Sequence, residues 1–365
     1  MTRTYRRLLA TLPMLGILSW SAHVPAARHA AAASGVRRFT LPWTGRSQRA
    51  PSISGHRVVW AYAHAPYQNL TATDLSTGRT TPVVTDGMAI TAPFGPPSPS
   101  VGGQLVVWMD CRICSTKTYA DQMFPDGTRI YAHNLATGRT FPVARTSDTQ
   151  TFAAVSNGWI VWTGQRARNS RHIYARDPAT GRVSRLSPPS GDQTAPSISW
   201  PIVVWQELRD RTHGNWDIAG TDLRTGQAVR VAVHPRGGDD IEDPLVSGNT
   251  VIWMHWHADR SLSIDGKDLA TGRTFQVVRL RSDQVNPQLG VHAAIDRSLV
   301  AWDQARRAPY VPGEADIYVR DLATGRTLRL TDDGTDNAWP AVAGHVIIWE
   351  QWSNGKGRIA GAVLQ

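Results

Sequence analysis

The chain has 365 residues, 41% of them hydrophobic, and a formal net charge of +10 at pH 7. A chain of this length can bury its own core, and its two cysteines are too few for a disulfide scaffold. The basic excess suits acidic glycans or cell-envelope polymers, although solubility alone would also account for it. Fifteen tryptophans against six phenylalanines is an unusual ratio, and the tryptophan positions turn out to be the main clue.

The first 33 residues have the order of a secretory signal peptide. Basic residues without an acid precede an apolar run from Leu8 to Trp20, and small residues predominate from Ala22 to Ser34. The apolar run is too short to span a bilayer. Removing residues 1–33 takes away four arginines and lowers the net charge from +10 to +6. We therefore expect a secreted or periplasmic protein without a membrane span, and one domain from residue 35 to 365.

Two signatures recur along the rest of the chain. A Val-Val-Trp triplet or a close variant occurs seven times, at spacings of 48, 54, 43, 48, 49 and 47 residues. An Asp-Leu-x-Thr-Gly-Arg element or a close variant follows every copy except the last. Repeats of this length with β-rich units predict a propeller, in which each repeat forms one four-stranded blade. We expect the seven repeat tryptophans to pack between blades: Trp60, Trp108, Trp162, Trp205, Trp253, Trp302 and Trp349.

Each repeat divides into four strands, A to D. Pro51–Ser54 is an example of strand A, and strand B is the apolar run that ends in tryptophan. Asp316–Arg320 is a clear strand C, and Thr327–Leu330 is the strand D that follows it. Strand B is apolar at successive positions, which is typical of a strand buried on both faces. The Asp-Leu-x-Thr-Gly-Arg element is predicted to be the C–D turn, with its Gly in the left-handed conformation.

The two ends of the chain predict how the ring closes. The seventh repeat stops at Gln365 after its strand C, and Gly35–Leu41 resembles a strand D. Pairing this N-terminal strand with the last blade leaves no long exposed edge. The predicted fold is therefore all-β: a seven-bladed β-propeller with four antiparallel strands per blade, the last blade closed by the N-terminal strand.

The repeat unit carries a family resemblance. Pro-x-Ile-Ser-Gly-x-x-Val-Val-Trp, followed by Asp-Ile-Tyr and Asp-Leu-x-Thr-Gly-Arg, resembles the TolB-type repeat of bacterial envelope propellers. The Ser-Pro-Asp-Gly turn usual in TolB is shortened here to Ser-Gly, and we expect no counterpart of the separate α/β domain of TolB. The resemblance covers the propeller part only. It implies the fold, and the role of TolB in the Tol–Pal system is not carried over.

Propeller geometry sorts the connections onto two faces. The A–B and C–D turns form what we term the turn face, and the B–C and D–A loops form the loop face. The turns are stereotyped, whereas the loops vary, and variable loops on a rigid scaffold commonly carry function. The longest predicted loops are Thr85–Pro99, Met109–Thr128, Gln206–Trp216 and Asp303–Ala315. Our candidate binding residues on the loop face are Trp216, Trp256, Trp352, His255, His257, Arg209 and Arg306.

Cys111 and Cys114 have thioredoxin-like spacing within the predicted blade-two loop. Redox chemistry of that type needs a βαβ context, and zinc needs further ligands, so neither is favoured. We expect a local disulfide rather than two free thiols, because the chain carries an export signal.

His255 and His257 lie on the same side of an extended segment and could form half of a metal site. Polygalacturonate-type lyases built on seven-bladed propellers hold a metal with histidines near the channel. A lone His-x-His is nonetheless more often solvent-facing, so no metal or other cofactor is assigned. The acidic stretches Asp239–Asp243 and Asp332–Asp336 lack EF-hand spacing and are expected to be solvated turns.

Several signatures are missing from the sequence: the Gly-x-Ser-x-Gly elbow, a phosphate-binding glycine loop, the sialidase Asp-box and His-Glu-x-x-His. Arginines on the loop face alternate with acids, which is not the one-sign stripe of a nucleic-acid binder. We therefore predict an exported monomer that acts as a non-catalytic binding module for a protein or an envelope polysaccharide. The alternative is a metal-assisted carbohydrate-active enzyme of the polysaccharide lyase type, with His255 and His257 among its ligands.

Overall fold

Strands account for nearly all of the regular structure. The computed structural model describes residues 35–43, 45–63, 68–90, 99–114, 127–166, 171–208, 216–233, 239–286 and 290–365. Within these ranges the structure has one short 3-10 helix, Ser282–Gln284, and no helix is long and apolar enough to cross a membrane. The predicted signal peptide and Arg209 lie outside the described residues.

The strands form seven blades of four antiparallel strands each, as predicted. Blades one and two comprise β2 (Gln48–Ser54), β3 (Arg57–Ala63), β4 (Gln68–Asp74), β5 (Thr80–Ile90), β6 (Ser100–Gly102), β7 (Leu105–Asp110), β8 (Arg129–Asn134) and β9 (Arg139–Pro142). Blades three and four comprise β10 (Thr149–Ser156), β11 (Trp159–Gln165), β12 (Arg171–Arg176), β13 (Val183–Arg185), β14 (Asp192–Ser199), β15 (Ile202–Leu208), β16 (Asp217–Asp222) and β17 (Ala228–Ala232).

The remaining three blades complete the ring. Blades five and six comprise β18 (Asp240–Ser247), β19 (Thr250–Trp256), β20 (Leu262–Asp268), β21 (Thr274–Leu280), β22 (Ala293–Asp296), β23 (Leu299–Ala305), β24 (Ala315–Asp321) and β25 (Thr327–Arg329). Blade seven comprises β26 (Asp336–Ala343), β27 (Val346–Ser353), β28 (Lys356–Leu364) and the N-terminal β1 (Val36–Thr40).

Closure by the N-terminus is confirmed. β1 pairs antiparallel with β28, from Val36 opposite Leu364 to Thr40 opposite Ala360. The first strand of every blade contacts the first strands of both neighbouring blades, so β2, β6, β10, β14, β18, β22 and β26 form a closed inner ring. Every other part of a blade lies farther from the axis of this ring.

The core is divided among the blade interfaces. The described residues form seven apolar clusters, one between each pair of neighbouring blades. The seven repeat tryptophans are 1–6% exposed, which confirms their packing role. Replacing one of these side chains with alanine would cost about 3–5 kcal/mol.

One connection differs from the prediction. Thr85–Ile90 was expected to belong to a loop, but it continues β5, and Ala89 pairs with Asp110 of β7. Blades one and two are thereby joined into one sheet of eight strands. Five of the six residues from Thr80 to Thr85 are β-branched, which favours an extended backbone. The open edge of β7 beyond the short β6 supplies hydrogen-bond partners.

Five of the seven inner strands share a further feature, a β-bulge near the middle. The register with the second strand shifts between Arg49 and Ser52, and in the same way in β10, β14, β18 and β26. At each of these bulges a non-glycine residue takes a positive φ of 50–57°: Ala50, Phe152, Ala195, Asp243 and Trp339. Such a conformation costs ~1 kcal/mol or more in an L-residue. The bulges therefore mark where the inner ring is locally strained.

Candidate metal centre

The loop-face end of blade five brings together two histidines and an aspartate. Side chains alternate along β19, so Trp253 packs toward blade four while Met254 packs toward blade six. His255 and His257 continue the alternation that begins with Trp253 and therefore face blade four. Asp239 precedes β18 and reaches the same place from the D–A loop.

Three possible ligand atoms converge at this point. The His255 Nε2 atom lies 3.2 Å from the Asp239 Oδ2 atom, and the His257 Nδ1 atom lies 3.7 Å from that oxygen. One ligand atom from each of the three residues lies within 4.8 Å of the other two. The two imidazole rings are close neighbours, with centroids 4.0 Å apart.

The remaining polar atoms of these residues are held by a second set of groups. The His255 Nδ1 atom lies 2.7 Å from Asp265 Oδ2, and the His257 Nε2 atom lies 2.9 Å from Ser263 Oγ. The Ala258 N–H donates to the other Asp239 oxygen, Oδ1, at 2.8 Å. Metal-binding histidines usually have their second ring nitrogen fixed in this manner, because it sets the tautomer and the ring orientation.

The ionisation states also suit a cation. Burial would raise the pKa of Asp239, but hydrogen bonds from the Ala258 N–H and from His255 outweigh it and lower the pKa overall. Burial, and then the neighbouring charges of His255 and Arg279, lower the pKa of His257. At neutral pH we therefore expect an Asp239 carboxylate beside a neutral His257 imidazole, the forms that bind metal.

Two nitrogens and one carboxylate oxygen fit a divalent transition cation. Imidazole suits zinc, copper, iron or nickel, and carboxylate oxygen suits manganese or magnesium, so the mixed set does not identify the metal. Three protein ligands are fewer than the four that close a structural zinc site. The arrangement is thus compatible with an open position for substrate or water.

A pocket lined by two arginines and an aspartate lies beside the centre. Arg279 is opposite Ser263 in the sheet register and hydrogen-bonds to Asp259 Oδ2 at 3.2 Å and Ser261 Oγ at 3.0 Å. A surface pocket of about 420 Å³ is lined by Asp259, Ser261, Arg279, Leu280, Arg281 and Ser282. An anionic group in this pocket would lie near both guanidinium groups.

The other predicted binding residues are scattered over the loop face. Trp216 is 6% exposed, and the Arg171 guanidinium lies 5.4 Å from its ring centroid. The Trp256 indole N–H donates to Glu242, and that of Trp352 donates to Glu350. Arg306 binds the buried Asp316 carboxylate. The structure does not bring these four side chains to the metal centre, and their role in binding stays a prediction.

In blade two the structure joins Cys111 and Cys114 in a disulfide, with Cα atoms 4.9 Å apart. The bridge lies at the end of β7 on the loop face, within the long connection to β8. The metal centre is in blade five, so the bridge is not part of it.

Sequence reasoning missed three residues of the centre: Asp239 as a ligand, Ser263 and Asp265. One signal was present in the repeat pattern. Asp265 follows Ile264 in strand C, at the position where other repeats have Tyr131, Tyr174 and Tyr318. The remaining repeats have Thr71, Ala219 and Ala360 there, so Asp265 is the one carboxylate among the seven residues that pair with the repeat tryptophans.

No family model matches the chain, and no curated protein matches its sequence. Solved structures do match. An oligogalacturonate lyase in complex with manganese shares 13% identity and a TM-score of 0.60, over 91% of this chain and 94% of that one. An oligogalacturonate lyase from Vibrio parahaemolyticus shares 10% identity and a TM-score of 0.60, over 90% and 96%. A puromycin-hydrolysing peptidase of Mycobacterium tuberculosis shares 13% identity and a TM-score of 0.60, over 87% of this chain and half of that one.

These likenesses establish a shared propeller fold. A candidate TolB from Agrobacterium tumefaciens matches over 68% of this chain with a TM-score of only 0.45, which carries no argument for the TolB-type repeat family. The predicted non-catalytic binding module is contradicted, because the proteins with matching propellers include lyases matched over nearly their whole length, and puromycin hydrolases and a prolyl endopeptidase matched over about half of theirs. The comparisons favour the enzyme alternative instead. The sequence pattern alone does not show the metal site at His255 and His257, because their third partner, Asp239, is distant in sequence.

Proposed function

We propose that this chain is a metal-dependent carbohydrate-active enzyme of the lyase type, acting on an acidic saccharide. The observation that carries the proposal is the convergence of Asp239, His255 and His257 on one point. Asp265 and Ser263 hold the outward ring nitrogens of the histidines. A solvated turn with a chance histidine pair would not need this second set of contacts.

Each side chain in and around the metal centre would have a separate role. Asp239 Oδ2, His255 Nε2 and His257 Nδ1 would hold the cation. A divalent cation bound there would neutralise a uronate carboxylate and make the proton on the adjacent carbon more acidic. Asp265 keeps the Nδ1 proton of His255 in place, which leaves Nε2 as the ligand atom. Arg279 and Arg281 would orient the anionic substrate from the neighbouring pocket.

In a lyase reaction a base takes the proton from the carbon next to the carboxylate. The C–O bond to the neighbouring sugar breaks, a C=C bond forms, and the leaving oxygen gains a proton. No water is consumed, so the product is an unsaturated uronate. The net charge of +6 that remains without residues 1–33 favours the capture of a polyanionic substrate.

We also propose that the protein is exported, with residues 1–33 as the signal peptide and residues 35–365 as the working domain. Export would place the enzyme in the periplasm or outside the cell, where an acidic polysaccharide is available. The basic n-region and the apolar run that follows it support this location.

The test is cleavage of polygalacturonate by purified protein, first stripped of metal and then supplied with Mn²⁺. We expect ultraviolet absorbance from the unsaturated product with Mn²⁺ and none with a chelator. His255→Ala and Asp239→Asn should abolish the signal, and the exposed His345→Ala and Asp332→Asn are matched controls that should retain it.

The same assay is carried out with other acidic polysaccharides, because the proposed substrate is a class of acidic saccharides and not one polymer. New reducing ends without unsaturation would indicate a hydrolase and contradict the lyase chemistry. If His255→Ala and Asp239→Asn both bind metal stoichiometrically, as the wild-type protein does, the assignment of the metal centre is wrong.

A further inference from the structure

A second pocket on the loop face lies at the end of blade seven, whereas the metal centre lies on blade five. It has a volume of about 470 Å³ and is lined by Thr335, Gln351, Ser353, Asn354, Lys356 and Arg358. The hairpin of β27 and β28 contributes five of these six residues, and Thr335 comes from the D–A connection that precedes β26. The volume lies in the range of small-molecule sites, and every lining side chain is polar.

The hairpin that carries the pocket is a rigid support. Only Asn354 and Gly355 separate β27 from β28, and both have a positive φ, as in a type I′ turn. The corresponding connections of the other blades are longer. The start of β28 is also held by blade one, because the Ile359 N–H donates to Gln48 Oε1 at 3.0 Å. The pocket side chains therefore project from paired strands, which hold a site more precisely than a loop does.

Four of the side chains lie on one side of this hairpin. Gln351 is opposite Arg358 in the register, and Ser353 is opposite Lys356. Opposite residues of an antiparallel pair project to the same side, and so do alternate residues along a strand. Trp349, two residues before Gln351, packs toward blade six. The four side chains therefore face blade six together.

The two cations of the pocket are available to a ligand. Lys356 and Arg358 make no ion pair or side-chain hydrogen bond among the residues that the structure describes. One carboxylate, Asp333, borders the pocket and accepts from Gln351 Nε2 at 2.7 Å. Its other oxygen accepts the Thr335 N–H at 3.0 Å and the Thr335 hydroxyl at 2.6 Å. Asp333 is thus occupied by its own loop and does not neutralise the two cations.

An exposed aromatic ring adjoins the pocket. The Arg358 guanidinium carbon lies 5.1 Å from the ring centroid of Trp43, and Trp43 is 37% exposed. Cation–π attraction holds a guanidinium over an indole and leaves the N–H donors at the guanidinium edge free. Charged donors and an apolar ring surface are therefore presented side by side.

We propose that this pocket is a binding site for an acidic saccharide, separate from the metal centre. A carboxylate on the sugar would accept hydrogen bonds from Lys356 and Arg358. The electron-rich face of the Trp43 indole would contact the C–H groups of the sugar ring.

The neutral side chains of the pocket suit the rest of a sugar. Gln351, Ser353 and Asn354 each offer a donor and an acceptor, as sugar hydroxyls do. A neutral saccharide would leave the two cations unpaired. A simple inorganic anion would leave the neutral groups and the indole unused. The combination therefore matches a ligand that is both anionic and rich in hydroxyl groups.

The test is calorimetric titration of the Asp239→Asn protein with trigalacturonate, at pH 7.5 and physiological salt. A chelator in the buffer keeps the metal centre empty, so no turnover accompanies binding. Maltotriose is the neutral control, and sulfate is the control for an anion without a sugar. We expect trigalacturonate to bind, and both controls to bind more weakly by roughly tenfold or more.

Lys356→Ser and Arg358→Ser together should weaken trigalacturonate binding by roughly tenfold or more, because both charged donors are lost. Arg79→Ser and Arg326→Ser together remove the same charge from the turn face and are the matched control, which should bind as before. Melting curves verify that both double variants fold. In the wild-type protein with chelator, trigalacturonate should also shift the indole N–H resonance of Trp43, assigned by its absence in Trp43→Phe. This measurement tests the site even if a variant misfolds.

Equal binding of maltotriose or sulfate, unchanged affinity without Lys356 and Arg358, or an unshifted Trp43 resonance would overturn the proposal. If Arg279→Ser and Arg281→Ser together abolish binding instead, the ligand belongs to the pocket beside the metal centre and the proposal is equally wrong. Binding on blade seven requires neither metal nor turnover. Failure of this site and failure of the proposed lyase activity can therefore be recognised separately.

Discussion

Among single side chains, Asp265 shows how the metal centre is oriented. It sits in strand β20 opposite Trp253 and holds His255 Nδ1, and Gln276 donates to its other oxygen at 3.3 Å. An imidazole without this partner could flip or change tautomer and present a protonated nitrogen to the cation. Asp265 is thus a positioning residue, because it acts through His255.

Replacing Asp265 with alanine should weaken Mn²⁺ binding about 10- to 100-fold, since the orientation of His255 is no longer fixed. Asp265→Asn keeps an acceptor oxygen and should recover part of the loss. Calorimetric titration of metal-free protein measures both effects, with Asp283→Asn as a surface control. An affinity equal to wild type in Asp265→Ala would show that His255 is not oriented by this residue.

Asp243 predicts a distinctive dependence of stability on pH. Its pKa is raised from 3.8 to about 6 in the folded chain, so folding favours the protonated form. The associated stability is fully present below pH 3.8 and is lost as pH rises through about 6. Above that pH the ionised group destabilises the fold by up to about 3 kcal/mol.

Asp243→Asn should therefore be as stable as wild type near pH 4 and more stable above pH 7, with the difference developing between those values. Urea denaturation across this range measures the effect. The pKa of Glu350 is also raised by burial, but Glu350 is present in both proteins and its contribution cancels. Stability profiles that stay parallel from pH 4 to pH 8 would contradict the raised pKa.

Among the strands, β1 has a large effect on the stability of the ring, although it has only five residues. It covers the outer edge of β28, and Leu41 just beyond it donates its N–H to Ile359 O at 2.9 Å. Phe39 lies over Gly361, where a Cβ atom would come within 2.4 Å of the aromatic ring. Glycine at this position is therefore a packing requirement of the closure.

Deleting Val36–Trp43 should leave β28 as an unpaired edge and remove the packing of Phe39 and Leu41, which is worth about 5 kcal/mol. We expect aggregation or a clearly lower melting temperature. A protein that lacks only residues 2–34 is the control and should melt like the full-length chain. Cooperative melting at an unchanged temperature after the longer deletion would mean that β1 does not close the ring.

The extension of β5 is a strand segment that the repeat pattern could not predict. Strand boundaries in blades three to seven follow from local patterns, such as the tryptophan run and the Thr-Gly-Arg turn. The pairing of Ala89 with Asp110 depends instead on an edge of β7 that its short partner β6 leaves open. That opening arises from the three-dimensional arrangement of two blades and has no signature in either segment.

For the complete ring, the repeat period was enough to predict seven blades, and the resemblance of Gly35–Leu41 to a strand D predicted the closure. The sequence alone predicted only part of the metal centre. His255 and His257 are adjacent in the pattern, whereas Asp239 is 16 residues away from His255 and enters from a D–A loop. A site formed by residues of different strands can be recognised only when the three-dimensional structure of the ring is known.

The position of the metal centre at one end of a blade predicts that the reaction takes place on the loop face. His255 and His257 lie at the loop-face end of β19, whereas the C–D turns contact the A–B turns at the other end, as Leu75 N–H does with His56 O at 2.8 Å. β19 has seven residues, which corresponds to a strand of roughly 20 Å. This length is more than two Debye lengths, about 8 Å each, at physiological ionic strength. Charges on the turn face should therefore have little influence on the metal centre.

Replacing the five turn arginines with serine should leave metal-dependent cleavage of polygalacturonate unchanged at physiological salt: Arg79, Arg139, Arg182, Arg273 and Arg326. At low salt, where screening weakens, we expect slower substrate capture, because five positive charges are lost. Arg279→Ser and Arg281→Ser together should raise KM at both salt concentrations, since both side chains line the pocket beside His257. Circular dichroism and melting curves verify that both variants fold. If the turn set loses activity at physiological salt and the pocket pair does not, the reaction belongs to the turn face.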